Sequence, residues 1–238
     1  MLKNFLVHIL FPQFCLICKR EGALICEDCL SSIGLSEFNY CPFCQAPKRV
    51  FEEGTCPTHR RMKLSGIFSA TSYQEPLVKK LISKFKYEPF LKNLTSPLTS
   101  LIIAHFLLSE NKLISQNKEN SVLMPVPLVK FRERWRGFNQ ATLIASELSK
   151  FYKIPLFNNL IKIKQTQPQV ELKREEREKN IRGVFTIKNP QEIQGKRIFL
   201  VDDVFTTGST MEECARVLKK AGGREVWGIV IAREPLSD

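Results

Sequence analysis

The chain has 238 residues, which is enough for one sizeable hydrophobic core and a small second unit. With 43% hydrophobic and 25% charged residues, its composition is that of a folded protein and excludes an intrinsically disordered chain. Its 36 Lys and Arg against 24 Asp and Glu give a formal net charge of +12. Such a surplus favours contact with phosphates, nucleic acid or an acidic membrane surface, although solvated basic faces would explain it equally well.

The first 14 residues predict a short amphipathic helix. Its apolar face carries Leu2, Phe5, Leu6, Ile9 and Leu10. The segment has a single Lys and no small-residue cleavage site, so it is not typical of a secretory signal. We expect it to cover the module that follows, and weak membrane contact by residues 1–14 is the alternative. No run approaches the roughly 20 apolar residues of a spanning helix. The sequence therefore predicts a cytoplasmic protein, near the inner face of the membrane if that contact is made.

Seven of the eight cysteines precede residue 60: six form three C-x-x-C pairs, and Cys56 forms a fourth pair of the same spacing with His59. Two ligands separated by two residues can hold one tetrahedral ion from a single turn, and two such turns complete its coordination. The predicted zinc ligands are Cys15, Cys18, Cys26, Cys29, Cys41, Cys44, Cys56 and His59. Disulfides are the alternative, but they suit secreted chains, and a redox C-x-x-C motif usually stands alone. The spacing leaves open which pairs combine and whether one or two structural ions are held.

From about Gly66 the pattern changes to helices that alternate with strands. In chain order, the predicted elements are helices at Pro76–Tyr87 and Asn93–Leu108, a loop at Leu108–Ser121, a strand at Val122–Val126, a basic loop, a helix at Asn139–Phe151, a basic stretch at Lys162–Arg182, strands at Val184–Ile187 and Arg197–Val201, a helix at Ser209–Ala221 and a strand at Val226–Ala232. This alternation predicts an α/β fold with a parallel sheet. Ligands of such folds bind at the carboxyl ends of the strands.

A specific pattern follows the strand that begins at Arg197. Two adjacent carboxylates, Asp202 and Asp203, precede a loop rich in hydroxyl groups, and the loop opens a helix. Backbone amides and hydroxyls there can cradle an anion, and Gly208 allows close approach. The carboxylates can accept hydrogen bonds from two ribose hydroxyls and help to hold Mg²⁺. A capped helix after an ordinary strand would explain the serine or threonine, but not the paired acids.

A second basic segment follows the strand Val122–Val126. The planar guanidinium groups of Arg134 and Arg136 can donate paired hydrogen bonds to pyrophosphate oxygens. Gly137 and Asn139 can leave backbone amides available at the start of a helix. A solvated basic loop is the alternative.

The segment Leu200–Thr210 resembles the phosphoribosyl pyrophosphate signature of the type I phosphoribosyltransferases. The resemblance implies a parallel sheet with helices on both faces and ribose binding by Asp202 and Asp203. The residues that it implies for the 5′-phosphate are Thr206, Thr207, Gly208, Ser209 and Thr210. It implies a pyrophosphate loop with Arg134, Arg136, Gly137 and Asn139, and a flexible loop with Thr166, Gln169, Arg177 and Asn180.

With the cysteine pairs in front, the whole arrangement resembles the ComF family of competence proteins. That resemblance implies a zinc-binding domain at residues 1–62 and a phosphoribosyltransferase-like domain at residues 63–238, with a hood at about 66–121 and a core at 122–238. Two departures are visible. His59 replaces the last cysteine of the fourth pair, and Lys164 stands where an arginine is expected.

The ComF resemblance implies a cytoplasmic protein of DNA uptake in natural transformation, which would bind phosphoribosyl pyrophosphate with Mg²⁺ and handle incoming single-stranded DNA. Other DNA-uptake proteins are its implied partners. Phe131, Trp135 and Phe138 lie among basic residues and suit stacking on a strand, although core packing would explain them as well. Two alternatives remain: an active phosphoribosyltransferase that acts on a base or amine, and a non-catalytic, zinc-stabilised docking protein. No residue stands out as a catalytic base.

Overall fold

The computed structural model describes residues 12–44, 46–51, 54–109, 112–164 and 180–234. Most of the predicted amino-terminal helix, residues 1–11, lies outside these ranges, as do Thr166, Gln169 and Arg177 of the predicted flexible loop. Among the described helices, none is long and apolar enough to cross a membrane.

The amino-terminal unit is built from turns and very short elements. They are α1 (Glu27–Ser31), the antiparallel pair β1 (Asn39–Tyr40) and β2 (Arg49–Val50), and a 3-10 turn at Pro57–His59. Each C-x-x-C or C-x-x-H pair occupies a turn beside one of these elements or beside the isolated bridge between Phe14 and Glu21. Such a unit has little secondary structure of its own and depends on the groups at its turns.

The remainder of the chain forms alternating helices and strands, as the sequence predicts. In chain order they are β3 (Gly66–Ser72), α2 (Pro76–Lys86), α3 (Thr95–Leu108), β4 (Ser121–Pro125), α4 (Lys130–Arg136), α5 (Gln140–Tyr152), β5 (Leu160–Lys162), β6 (Phe185–Ile187), β7 (Arg197–Phe205), α6 (Ser209–Lys220) and β8 (Glu225–Arg233). Short 3-10 turns lie at Lys92–Leu94, Lys118–Asn120 and Pro190–Ile193.

The central sheet has four parallel strands in the order β3-β8-β7-β4. A short extended segment continues it beyond β4, because the Leu123 amide donates to the Pro155 carbonyl and the Phe157 amide to the Leu123 carbonyl. Strands β5 and β6 form a separate antiparallel pair. The central strands β7 and β8 read as nearly continuous apolar runs because both of their faces are covered.

Helices cover both faces of the sheet, which confirms the predicted fold class. On one face, α2, α3 and α5 pack around Phe68, Phe85 and Phe199. On the other, α6 packs through Met211 and Cys214. Cys214 is fully buried, as expected of a core residue.

The amino-terminal unit reaches both faces of the sheet from the β3 edge. Ile25 and Ile33 join the core of the α2–α3–α5 face, whereas Cys41 and Val50 join the core of the α6 face. The unit is tied to the sheet where the Ser36 amide donates to the Ala70 carbonyl at 2.8 Å. The domain limits at residues 62 and 63 stay predictions.

Several elements from Gly66 onward differ from the sequence-based expectation, including the short strand β5, which was not predicted. Strand β3 was not predicted, since an isolated apolar segment does not reveal its partner strand. The segment expected to be a basic loop contains α4, in which Phe131 and Trp135 are four residues apart and share a helical face. Strand β7 continues to Phe205 instead of ending at Val201, so both carboxylates lie within the strand.

Candidate ligand and metal sites

The described residues of the predicted phosphate and pyrophosphate loops lie at the carboxyl edge of the sheet. Strand β7 ends there in the hydroxyl-rich loop, and the segment after β4 leads there into α4 and the start of α5. Parallel strands bring these segments to one edge although they are distant in sequence.

The loop between β7 and α6 is fixed by Gly208. This residue has φ of +81°, and a Cβ atom would lie 2.5 Å from Cζ of Phe205, so only glycine fits. Helix α6 begins at Ser209, and its first amides carry the positive end of the helix dipole. The hydroxyls of Thr207 and Ser209 are 3.0 Å apart. The loop therefore combines amides and hydroxyls as an anion cradle requires, and the roles of Thr206, Thr207, Gly208, Ser209 and Thr210 stay predictions.

The two carboxylates of β7 have different surroundings. Asp203 is 3% exposed and faces α2. Asp202 is partly exposed, and its charge interacts with that of Lys162. Side chains alternate along a strand, which explains the separation. Oδ1 of Asp202 accepts a hydrogen bond from the Asp203 amide at 2.8 Å. Burial, followed by the charge of Asp203, raises the pKa of Asp202 to about 7.

Lys86 is the partner of Asp203 and was not among the predicted site residues. Its Nζ donates to Oδ1 of Asp203 at 2.8 Å, from the last residue of α2. Burial opposes the charge of Lys86, but the carboxylates of Asp203 and Asp202 outweigh it, and its pKa is raised. The two residues are 117 positions apart, and three other lysines lie nearby on α2, so no sequence signal could have selected Lys86.

Arg136 is buried beside this pair. It is 9% exposed, and its guanidinium donates to Oε1 of Gln140, whose Nε2 in turn donates to the Phe85 carbonyl at 3.3 Å. Burial lowers the pKa of Arg136, and the charge of Asp203 partly offsets that effect. Its buried Nε has no hydrogen-bond partner among the described residues. A buried, unsatisfied cationic donor at this edge is the kind of group that a phosphate oxygen would satisfy.

The other predicted pyrophosphate-loop residues lie around α4 and the start of α5. Arg134 is exposed on α4, and Gly137 ends that helix with φ of +80°. Asn139 begins α5: its Oδ1 accepts from the Ala141 amide at 3.0 Å, and its Nδ2 donates to the Val126 carbonyl. Asn139 thus attaches the start of α5 to the end of β4, and its side chain is occupied by that structural role.

Helix α4 also exposes two aromatic rings. Phe131 is 70% exposed and Trp135 is 59% exposed, and the Trp135 ring meets Phe90 edge-on at 5.1 Å. Phe138, in contrast, is 6% exposed and packs against Phe85, so it belongs to the core. Of the three aromatics considered for strand stacking, the structure therefore leaves two on the surface.

The described flanks of the predicted flexible loop lie near the same edge. Asn180 is described at its carboxyl-terminal flank, and the Gly183 amide donates to Oε1 of the buried Glu213 at 2.7 Å. Lys162 lies on the other flank, where burial and the charge of Arg132 lower its pKa. The ligand roles predicted for this loop stay predictions.

The eight predicted metal ligands form two groups of four. One contains Cys15, Cys18, Cys26 and Cys29, and the other contains Cys41, Cys44, Cys56 and His59. Within each group the ligand atoms lie within 4.8 Å of one another. The structure thus selects one pairing of the turns from those that the sequence left open: the first with the second, and the third with the fourth.

The second group has the dimensions of a zinc site. Sγ of Cys44 lies 3.5 Å from Sγ of Cys56 and 3.5 Å from Nδ1 of His59. Tetrahedral zinc with Zn–S of about 2.3 Å and Zn–N of about 2.0 Å would separate sulfur pairs by about 3.8 Å and sulfur–nitrogen pairs by about 3.5 Å. Burial and the neighbouring Cys56 and Cys41 raise the pKa of Cys44 to about 12, an effect that a bound cation would reverse. Each group could hold a structural metal ion.

The sequence is similar to known proteins over most of its length. Residues 135–236 match the family model described as a phosphoribosyl transferase domain. Competence protein F of Haemophilus influenzae is 33% identical over 218 residues, covering 87% of this chain and 90% of that protein. Competence protein ComFC of Bacillus subtilis is 29% identical over 204 residues, covering 83% of this chain and 79% of that protein. The DNA utilization protein YhgH of Escherichia coli K12 is 27% identical over 227 residues, covering 91% of this chain and 96% of that protein.

Replacing Asp202 with Asn is expected to change how stability depends on pH. The pKa of Asp202 is about 7 in the fold and about 3.9 in an unfolded chain. Between these values the folded state keeps a proton that the unfolded state has lost, so this group makes the wild type less stable as pH rises. As pH rises between these two pKa values, we expect the free energy of unfolding of the wild type to fall relative to that of Asp202→Asn. The total fall is about 1.4 kcal/mol for each unit by which the pKa is shifted.

Urea unfolding of both metal-loaded, reduced proteins at several pH values between about 5 and 8 measures this difference. The cysteine groups titrate in both proteins and cancel. Parallel pH profiles would contradict the assignment, and the exposed Glu119→Gln variant serves as the control.

Replacing Lys86 with Met is expected to leave the Asp203 carboxylate buried without its cation. We expect a loss of about 2 kcal/mol in the free energy of unfolding at neutral pH, less than for a fully buried pair because the Lys86 side chain is 31% exposed. The matched control is Lys80→Met on the exposed side of the same helix, with an expected change below about 0.5 kcal/mol. A double-mutant cycle with Asp203→Asn measures the coupling, and a coupling near zero would rule out the pair as a stabilising contact.

Proposed function

Because this chain belongs to the ComF family of competence proteins, we propose that it handles DNA taken up by the cell, and that it does so in the cytoplasm as a protein that binds phosphoribosyl pyrophosphate. The observation that carries the ligand proposal is that three features lie at one edge of the sheet. They are the start of α6 after Gly208, the acid pair Asp202 and Asp203 of β7, and the buried Arg136. The match of residues 135–236 to a phosphoribosyl transferase domain supports it.

The proposed site divides the ligand between three groups of residues. The amides and hydroxyls of Thr206–Thr210 would hold the 5′-phosphate. Asp202 and Asp203 would accept hydrogen bonds from the ribose hydroxyls, with Asp202 the more accessible of the two. Arg134 and Arg136 would bind the pyrophosphate. The Nε of Arg136, which has no hydrogen-bond partner among the described residues, is suited to donate to a pyrophosphate oxygen.

Magnesium would reach this site together with the ligand. Its preferred ligands are carboxylate and phosphate oxygens, and Asp202 offers such an oxygen at the edge of the sheet. The ion would supply charge compensation for the pyrophosphate oxygens. The two cysteine groups would hold zinc as structural ions, since four protein ligands leave no open position on the metal.

Catalysis by the same site is a second candidate, favoured by the match to a transferase family model. In that reaction the bond between the anomeric carbon and pyrophosphate would break while a bond to a nitrogen nucleophile forms, and the nucleophile would lose its proton to solvent. Arg134 and Arg136 would stabilise the charge on the leaving pyrophosphate.

Binding of phosphoribosyl pyrophosphate is expected to require the acid pair. In isothermal titration calorimetry with Mg²⁺, we expect the Asp202→Asn/Asp203→Asn variant to bind at least about tenfold more weakly than the wild type, because it lacks charged acceptors for the ribose hydroxyls and the ion. The control variant is Glu192→Gln, an exposed carboxylate elsewhere. Equal affinities of wild type and double variant would contradict the proposed site.

A parallel assay of pyrophosphate release, with single-stranded DNA or a panel of amines and bases, separates binding from catalysis. Release that depends on an acceptor and is lost in the double variant would make the protein a transferase. Binding without release would favour a ligand-controlled DNA-handling protein.

Single-stranded DNA is the proposed macromolecular partner, and α4 is its proposed contact. Phe131 and Trp135 are exposed on this helix, and Arg132 and Arg134 are exposed beside them. Exposed rings among basic residues suit bases that stack and phosphates that pair with cations. The surface lies next to the proposed ligand site because Arg136, at the end of the same helix, is close enough to Asp203 for their charges to interact.

Trp135→Ala is expected to weaken binding of a fluorescent single-stranded oligonucleotide by about tenfold, through lost stacking. Arg132→Gln/Arg134→Gln is expected to reduce the slope of affinity against salt concentration, since fewer counterions are released. Fluorescence anisotropy over a salt series measures both effects. Phe151→Ala removes an exposed ring from the other end of α5 and is the control. A salt-independent affinity, or equal effects of Trp135→Ala and Phe151→Ala, would contradict this surface and favour the docking alternative.

A further inference from the structure

The second cysteine group, Cys41, Cys44, Cys56 and His59, is attached to the loop Thr206–Thr210 at two points. We propose that Glu212 and Arg233 are positioning residues that couple this metal group to the loop, so that phosphate binding depends on the metal and a bound phosphate ligand slows loss of the metal. This inference rests on the proposed phosphate site. It adds that one of the two metal groups controls that site.

The first attachment runs through Glu212, in the first turn of α6. Its Oε1 accepts from the Lys63 amide at 2.8 Å and its Oε2 from the Leu64 amide at 2.9 Å. Lys63 follows the ligand His59 by four residues, and the intervening turn is closed by a hydrogen bond from the Met62 amide to the His59 carbonyl at 3.0 Å. A carboxylate that accepts two consecutive amides fixes both position and orientation. The start of α6 is thereby fixed relative to the Cys56–His59 turn.

The second attachment runs through Arg233, near the end of β8. Its Nη2 donates to the carbonyl of the ligand Cys41 at 3.1 Å and to that of Pro42 at 3.5 Å. The guanidinium therefore links the Cys41–Cys44 turn to the sheet.

From Arg233 the connection continues to Gly208. Arg233 is in register with Phe205 across the sheet, and the Glu234 amide donates to the Phe205 carbonyl at 2.8 Å. The Phe205 ring lies directly beneath Gly208, where a Cβ atom would approach Cζ to 2.5 Å. The position of the loop backbone is thus set by a ring whose own strand is tied to the cysteine turn.

The first cysteine group provides an internal comparison. Its turns pack through Ile25 and Ile33 into the core on the opposite face of the sheet. Cys41 and Cys56 instead share a core with Phe205 and Met211. The two groups, one of four cysteines and one of three cysteines and a histidine, therefore have different connections, and we expect only the second to act on the phosphate loop.

The coupling has a simple physical basis. Metal binding joins the Cys41–Cys44 and Cys56–His59 turns, and without it the turns that carry the Cys41 carbonyl and the Lys63 amide gain freedom. The loop amides would then have to be ordered when the ligand binds, which lowers affinity. Since coupling between two binding events is reciprocal, the ligand must strengthen metal binding by the same factor.

The test uses the full, reduced, zinc-loaded chain with two probes, phosphoribosyl pyrophosphate with Mg²⁺ and ribose 5-phosphate. Calorimetry measures their affinity, and a chromophoric chelator measures the rate of zinc release with and without saturating probe. For the wild type we expect biphasic release in which the probe slows only one phase, by about tenfold. Cys44→Ser is expected to lower probe affinity by about tenfold and to remove the protected phase.

Glu212→Gln and Arg233→Met test the two attachments with the ligand residues intact. We expect each to lower affinity for ribose 5-phosphate and to reduce the protection of zinc by the probe, while circular dichroism shows an intact fold. Gln at position 212 keeps one acceptor, so a partial effect that becomes larger in Glu212→Ala is expected. Unchanged affinity and unchanged protection in Arg233→Met and Glu212→Ala would overturn the coupling.

The outcomes separate this inference from the proposed function. If the wild type binds neither probe, the proposed phosphate site fails and the coupling fails with it. If the wild type binds both probes but Cys44→Ser and the first-group variant Cys18→Ser weaken binding equally, the site stands and the specific coupling is wrong. A clearly weaker effect of Cys18→Ser than of Cys44→Ser supports it.

Discussion

Two neighbouring carboxylates in a strand that is covered on both faces impose the main constraint on this structure. Asp203 is almost fully buried and Asp202 partly so, and charges in such places must be compensated. Cations that interact with them come from different elements: Lys86 from α2, Arg136 from α4 and Lys162 from β5. Three separate elements therefore bring positive charge to the carboxyl edge, where it compensates the two carboxylates.

What could be predicted from the sequence was local. The order of acids, hydroxyls and glycine at the end of β7 and in the loop after it predicted the loop and the helix start, because a strand, a turn and a helix cap are formed by residues close together in the chain. The cysteine pairs were recognisable for the same reason. The helices α2 and α5 followed from their apolar spacing, and no observed end differs from the predicted one by more than one residue.

What could not be predicted depends on contacts between distant segments. Nothing local indicates that Lys86 rather than Lys84 reaches Asp203, or that Cys15 shares a group with Cys26 rather than with Cys41. Strand β3 has no sequence signal that identifies β8 as its partner. The side-chain roles of Glu212 and Arg233 were missed because each acts on backbone groups, which any residue type presents.

The strand order has a consequence for how the chain is assembled during synthesis. Strand β8 is the last described element, yet it lies between β3 and β7. The hydroxyl of Thr71 in β3 donates to the carbonyl of Ile231, 160 residues later. A ribosome must therefore produce almost all of the described chain before β3 acquires its neighbour. Until then the apolar β3 and the adjoining cysteine turns lack the strand beside which they pack, and exposed apolar segments of this kind are prone to aggregate.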